Sequence, residues 1–219
     1  MFLRRSIVKL TALALASAIL MPQHASAHPH VFATARLEVV LDAQNGVKEL
    51  RNVWLFDPLF SSSVILDFDQ DGDLKLSEDE LAEVGSVVRE SLADFGYYMS
   101  LSRDGRDVAV KPPEVIHVSL EDQQLLMFFA VEPTEAMPLA GKLSFGVYDP
   151  TMYVALDFIS DDDMVVITQE PQSCGHDVVR PDPDEIIAQN QATLTEAFFN
   201  DPGGNDISSL FATRLELTC

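Results

Sequence analysis

The chain has 219 residues and carries 35 acidic against 14 basic side chains, a formal charge of −21 at pH 7. Such a surface repels nucleic acid and anionic lipid, and it suits cations or solubility alone. A 47% hydrophobic content over this length supports one sizeable core. In chain order, residues 1–27 come first and have the pattern of a secretory signal peptide. Arg4, Arg5 and Lys9 form the basic start, Leu10 to Met21 the apolar run, and Ala25-Ser26-Ala27 the cleavage site. The apolar run is shorter than the roughly 20 residues that span a bilayer. The expectation is therefore a periplasmic protein, residues 28–219, with no retained membrane anchor. Arg4-Arg5 also allows export by the twin-arginine route.

The mature chain opens on strands. Val31 to Asp42 alternates, Gln44-Asn45-Gly46 signals a turn, and Val47 to Phe56 reads as the second strand of a hairpin. Asp57-Pro58 breaks the strand and starts a short helix over Leu59 to Phe68. Ser77 and Glu80 form a capping box, and Leu81, Val84, Val88, Leu92 and Phe95 fall on one helical face that Gly96 ends. Strands follow at Met99–Ser102, Val108–Val110, Val115–Leu120, Leu125–Val131, Leu143–Tyr148, Tyr153–Phe158 and Val165–Thr168. The spacing predicts a helix over Ile186–Phe199 and a last strand over Phe211–Leu217. The fold expected is α+β: a mainly antiparallel β-sandwich or twisted sheet with a helical, EF-hand-like insertion at 58–96. Cys174 and Cys219 pair most simply as one disulfide, and closing a loop of about 45 residues is worth roughly 4 kcal/mol. The alternative, a reactive thiol at Cys174 beside His176, lacks a third catalytic group.

The segment Asp69 to Glu80 has the spacing of a calcium loop. Asp69, Asp71, Asp73 and Ser77 supply side-chain oxygens at positions 1, 3, 5 and 9. Lys75 offers its carbonyl at position 7, and Glu80 a bidentate carboxylate at position 12. Hard oxygen donors at this density fit calcium better than magnesium. Position 6, usually glycine, is Leu74. A bulky residue held at positive φ there costs on the order of 1–2 kcal/mol, which weakens affinity about tenfold.

A second metal site is expected at the mature terminus. Cleavage after Ala27 gives His28 a free amine beside its imidazole, and His30 adds a second imidazole. Pro29 lacks an amide proton and so blocks square-planar binding through that nitrogen. The donors suit zinc or another divalent transition metal such as nickel or copper. Asp149 or Asp57, each at a strand end, would complete the site. His117, on the strand face with Val115 and Ser119, reads as structural rather than ligating, and His176 as a surface loop residue.

Several of these motifs occur together in one family. His28-Pro29-His30-Val31-Phe32, Trp54-x-Phe56-Asp57-x-x-Phe60, Leu76-Ser77-x-x-Glu80-Leu81, Val147-Tyr148-Asp149-Pro150-Thr151-x-Tyr153, Cys174, Arg180-Pro181 and the stretch from Leu210-Phe211-Ala212 to Cys219 resemble domain-of-unknown-function family 1007. The resemblance covers essentially the whole mature chain. It implies a periplasmic accessory of metal-ion transport for zinc, nickel or cobalt, whose partner is a membrane metal permease or an ABC-type transporter. The alternative is a calcium-stabilised adaptor that handles no transition metal. No Ser-His-Asp order, zincin motif or phosphate loop occurs, so no enzyme activity is expected.

Overall fold

The computed structural model describes residues 29–169, 173–191 and 207–219. The leader and His28 lie outside these residues. Two sheets face each other across one core, and helices are inserted between the second and third strands. The architecture is α+β.

Strands β1 (Val31–Leu41) and β2 (Val47–Phe56) form an antiparallel hairpin whose register runs from Ala33 opposite Phe56 to Leu41 opposite Val47. Period-two alternation does its ordinary work in β1: Val31, Ala33, Ala35, Leu37 and Val39 are buried, while Phe32 and Thr34 face out. At the turn, Asp42 Oδ1 accepts from the amides of Gln44 and Gly46, each at 2.8 Å.

The first sheet runs β5 (His117–Glu121), β6 (Gln124–Val131), β2, β1, β8 (Val154–Asp157), and β9 (Met164–Ile167) also pairs with β1. Both β8 and β9 lie parallel to β1, an exception to the mainly antiparallel pattern. The long β1 carries the two short strands end to end along one edge, β8 at Val31–Thr34 and β9 at Leu37–Val40. Alternation of side chains cannot reveal strand direction, so the sequence was silent on this.

The second sheet is antiparallel throughout, in the order β10 (Gly175–Val179), β11 (Arg214–Thr218), β7 (Lys142–Val147), β3 (Met99–Arg103), β4 (Arg106–Val108). Leu101, Leu143, Phe145, Leu215 and Leu217 point into the shared core. Trp54 of the first sheet meets Tyr98 beside the second as a stacked pair 6.0 Å apart, and Phe129 edge-on at 4.9 Å. Cys174 and Cys219 are bonded, with Cα atoms 4.4 Å apart. The bridge closes the end of the β10–β11 ladder, next to the Gly175–Thr218 pair.

Helix α1 (Pro58–Phe68) follows β2 directly. Ser61 fastens it to the sheet: its buried hydroxyl donates to the Asp57 carbonyl at 2.7 Å and accepts from the Leu125 amide at 3.0 Å. Helix α2 (Glu78–Ser91) lies against the approach to β5. The contact needs a glycine, because a Cβ on Gly85 would collide with the Ile116 carbonyl. The helix stops earlier than its apolar periodicity suggests. After Leu92 the chain turns through 3-10 geometry over Ala93–Tyr98, where Gly96, Tyr97 and Tyr98 all have positive φ.

Elsewhere the differences are local. The expected strand at Val108–Val110 is displaced to β4, and Val110 keeps only an isolated bridge to Pro133. Strand β10 was not anticipated, since Gly175, His176 and Asp177 lack an apolar stripe. Helix α3 spans Pro183–Gln189, and residues 192–199 of the expected helix lie outside the described residues. Phe211 ends a 3-10 turn, Ile207–Phe211, and the strand begins at Arg214. No helix among the described residues is long and apolar enough to cross a membrane.

Candidate metal centre

The loop between α1 and α2 gathers acids without a regular element of its own. Asp69 closes α1 as its C-cap, and Ser77 opens α2 as its N-cap. Between them the backbone folds around Asp69. Its Oδ1 accepts from the amides of Gly72 at 2.8 Å and Asp73 at 3.2 Å, and its Oδ2 from the amide of Leu74 at 2.8 Å. Asp73 Oδ1 accepts from the Lys75 amide at 2.8 Å. Ligand oxygens of Asp69, Asp71 and Asp73 all lie within 4.8 Å of one another. Oxygens on opposite sides of a calcium ion stand about 5 Å apart, so this spacing fits that ion's coordination shell.

Leu74 sits at φ 61° and is 69% exposed. The left-handed conformation required at position 6 is thus met by a leucine, at the steric cost that glycine avoids. Its neighbour Gly72 has φ 76° with open space around its Cβ position.

Glu80 has a role that the spacing alone does not reveal. It is 7% exposed, and its Oε1 accepts from the Gln70 amide at 2.7 Å. Its Oε2 accepts from both the amide and the hydroxyl of Ser77, each at 2.7 Å. The capping box is completed by the Glu80 amide, which donates to Ser77 Oγ at 3.4 Å. One carboxylate therefore joins both ends of the loop. The Gln70 and Ser77 amides and the Ser77 hydroxyl hold it below the usual glutamate range, against burial and the nearby Asp69 charge. At Asp69 burial pushes the carboxyl up, but the amides of Leu74, Gly72 and Asp73 and a bond to Asp71 together bring it below the ordinary value.

The histidine terminus is arranged differently. His30 is exposed, its amide donates to the Tyr153 carbonyl at 2.9 Å, and its ring lies 5.0 Å from the Tyr153 ring. Asp149 is 3% exposed. Its Oδ1 accepts from the amide and hydroxyl of Thr151 at 2.8 and 2.7 Å, and its Oδ2 from the Val154 amide at 2.9 Å. It also bonds the Tyr98 phenol, which burial first and the Asp149 charge second push well above its usual range. Asp57 is likewise engaged: Oδ1 caps α1 through Leu59 and Phe60, and Oδ2 accepts from the Phe32 amide. Both acids organise backbone, and sequence position alone could not distinguish that from ligation. Among the described residues, the group of three or more metal-ligating side chains is Asp69, Asp71 and Asp73.

Comparison with known proteins places the chain. A family model described as "Protein of unknown function (DUF1007)" matches residues 13–219. The chain belongs to this family. Its members' shared stretch thus takes in the acidic loop, both sheets and both cysteines. No curated protein matches the chain.

Proposed function

We propose that this family member is an exported, calcium-stabilised binding protein that acts as an accessory to metal-ion transport. The observation that carries the calcium assignment is the grouping of the Asp69, Asp71 and Asp73 oxygens within 4.8 Å. Those three side chains and the Lys75 carbonyl would hold the ion. Ser77 and Glu80 would join it by exchanging their present bonds to each other for metal. Calcium there neutralises clustered carboxylates and braces the α1–α2 unit; this is a structural role, with no catalytic step. The two cysteines and their bond suit an oxidising compartment such as the periplasm.

Handling of zinc, nickel or cobalt at His28 and His30, with delivery to a membrane permease or ABC-type transporter, is the second part of the reading. Its support is the family resemblance and the outward position of His30 at the start of β1. Asp149 already serves four donors, so the remaining ligands would come from a partner protein or from water. The protein works as a docking and delivery component, without enzymatic turnover.

Calorimetric titration tests both parts. Calcium should bind with one site per chain and raise the melting temperature, and Asp71→Asn should remove both effects. An unchanged calcium response in Asp71→Asn rejects the loop. Zinc should bind protein that begins at His28, and binding should fall when residues precede His28 or when His30→Ala is made. Equal zinc binding by all three forms rejects the terminal site and leaves the calcium-stabilised adaptor.

A further inference from the structure

Helix α1 is apolar on two opposite faces. One face belongs to the core: Phe60, Val64, Ile65 and Phe68 pack against it, and Ser61 is buried. On the other face stand Leu59, Ser62, Ser63 and Leu66, spaced i, i+3, i+4, i+7 and so in one stripe along the helix. Leu59 is 82% exposed and Leu66 66%. The serines between them add little polarity, because each turns its hydroxyl back onto the helix. Ser62 Oγ donates to the Pro58 carbonyl and Ser63 Oγ to the Phe60 carbonyl, both at 2.7 Å. Single exposed leucines are ordinary on a surface. A helix with an apolar stripe on each side has the pattern of one held between two partners, and the described residues supply the inner one alone.

The charge around the stripe selects the second partner. Residues 57–88 hold nine acidic side chains and one basic, Lys75. Exposed Asp67 flanks the stripe on the helix itself, and the loop that carries Asp71 and Asp73 leaves from the helix's C-terminal end. That end has no basic side chain in its last turn to offset the partial negative charge of the helix dipole. Another copy of this chain would set acid against acid here, and an anionic membrane would be repelled in the same way. A basic segment is attracted.

We propose that the outer face of α1 is a docking site for a basic amphipathic helix of a partner protein. Leu59 and Leu66 stand about 10 Å apart along the axis, two turns of helix, and the small serines leave the space between them for an apolar side chain of the partner. The partner's lysines or arginines lie against Asp67 and the acidic loop. This extends the docking role proposed above by naming the surface and the chemistry it recognises. A calcium ion in the loop would cancel two of the local charges and leave the excess negative, so docking does not depend on whether the loop is filled.

The probe is a synthetic peptide of about 18 residues, five turns of helix, with leucines on one face and lysines on the other. It is titrated in 150 mM sodium chloride with calcium present and followed by fluorescence anisotropy. It should bind saturably, one per chain, and shift the Leu59 and Leu66 methyl signals in NMR. A peptide with glutamate in place of lysine should not bind, and one with serine in place of leucine should bind at least tenfold more weakly. Leu59→Ser with Leu66→Ser should weaken the basic peptide at least tenfold. Melting temperature and calcium binding should stay as in the wild type, which separates this proposal from the calcium site. Ile159→Ser, which removes a comparably exposed apolar side chain after β8, should change nothing. The proposal is overturned if the double variant binds the peptide as the wild type does, if the methyl shifts fall elsewhere, or if the serine peptide binds as tightly. It is also overturned if the double variant instead abolishes a dimer of the protein or its binding to phosphatidylglycerol vesicles.

Discussion

Asp57 and Phe32 are joined twice: the Phe32 amide donates to Asp57 Oδ2 at 3.0 Å, and the Asp57 amide donates to the Phe32 carbonyl at 2.8 Å. The other carboxylate oxygen caps helix α1. One side chain thus sets the helix on the edge of the hairpin. Removing an N-cap typically costs about 0.5–2 kcal/mol, so Asp57→Ala should lower stability by about 2 kcal/mol once the strand contact is lost as well. Asp57→Asn should cost less. Urea unfolding measures both.

The same carboxylate gives a pH dependence. Burial raises its pKa, but the amides of Phe60, Phe32 and Leu59 lower it further, and the net shift is downward. Glu216, bonded to Lys142 and Arg214, is lowered too. A carboxylate depressed on folding contributes stability that is complete above its unfolded value, near 4, and lost as pH falls through the folded value. Stability should therefore decline from about pH 5 downward. Asp57→Asn should flatten that decline, and chemical denaturation at stepped pH will show it. Identical slopes in the two proteins would reject the assignment.

Glu80 should matter with or without metal. Its carboxylate ties Gln70 to Ser77 in the loop. Glu80→Gln should lower the melting temperature by several degrees in chelator and by more in calcium. A melting temperature unchanged in chelator would show that the tie contributes nothing.

Leu74 predicts the opposite direction. At φ 61° it bears a strain that glycine does not. Leu74→Gly should tighten calcium binding by up to about tenfold, and Leu74→Val, with a β-branch at the same φ, should weaken it. Calorimetric affinities for the three proteins decide the matter.

Gly85 is a packing prediction. Gly85→Ala places a methyl group against the Ile116 carbonyl and should cost roughly 1–3 kcal/mol, although alanine is the better helix former. A stabilised variant would mean that α2 sits farther from that carbonyl.

The disulfide predicts a larger loss. Cys174→Ser with Cys219→Ser should remove roughly 4 kcal/mol, a fall of about 10 °C in melting temperature. Differential scanning calorimetry of the double variant gives the value.

The hairpin and most strands were legible because their side chains alternate and glycine or proline marks their ends; β2 runs from Val47 to Phe56 as read. The direction of β8 and β9 was not, because alternation is the same in either direction. The end of α2 was also hidden. Leu92 and Phe95 keep the helical period, but Phe95 is 42% exposed and the backbone has already turned. At the metal loop the aspartate spacing was readable, and so was the strain at Leu74. The use of Glu80, Asp57 and Asp149 as acceptors for distant amides was not, since it depends on which strand ends the fold brings together.

The position of β11 has a consequence for how the molecule assembles. Residues 214–218 form an interior strand of the second sheet, flanked by β10 and β7. Until they arrive, Leu143 and Phe145 line an unpaired edge on an incomplete core. Strands β3, β4 and β7 can pair earlier, but the sheet is complete only once β11 fills the gap between β7 and β10. Until then the free edge of β7 is open to pairing with other chains, which exposes the folding protein to aggregation.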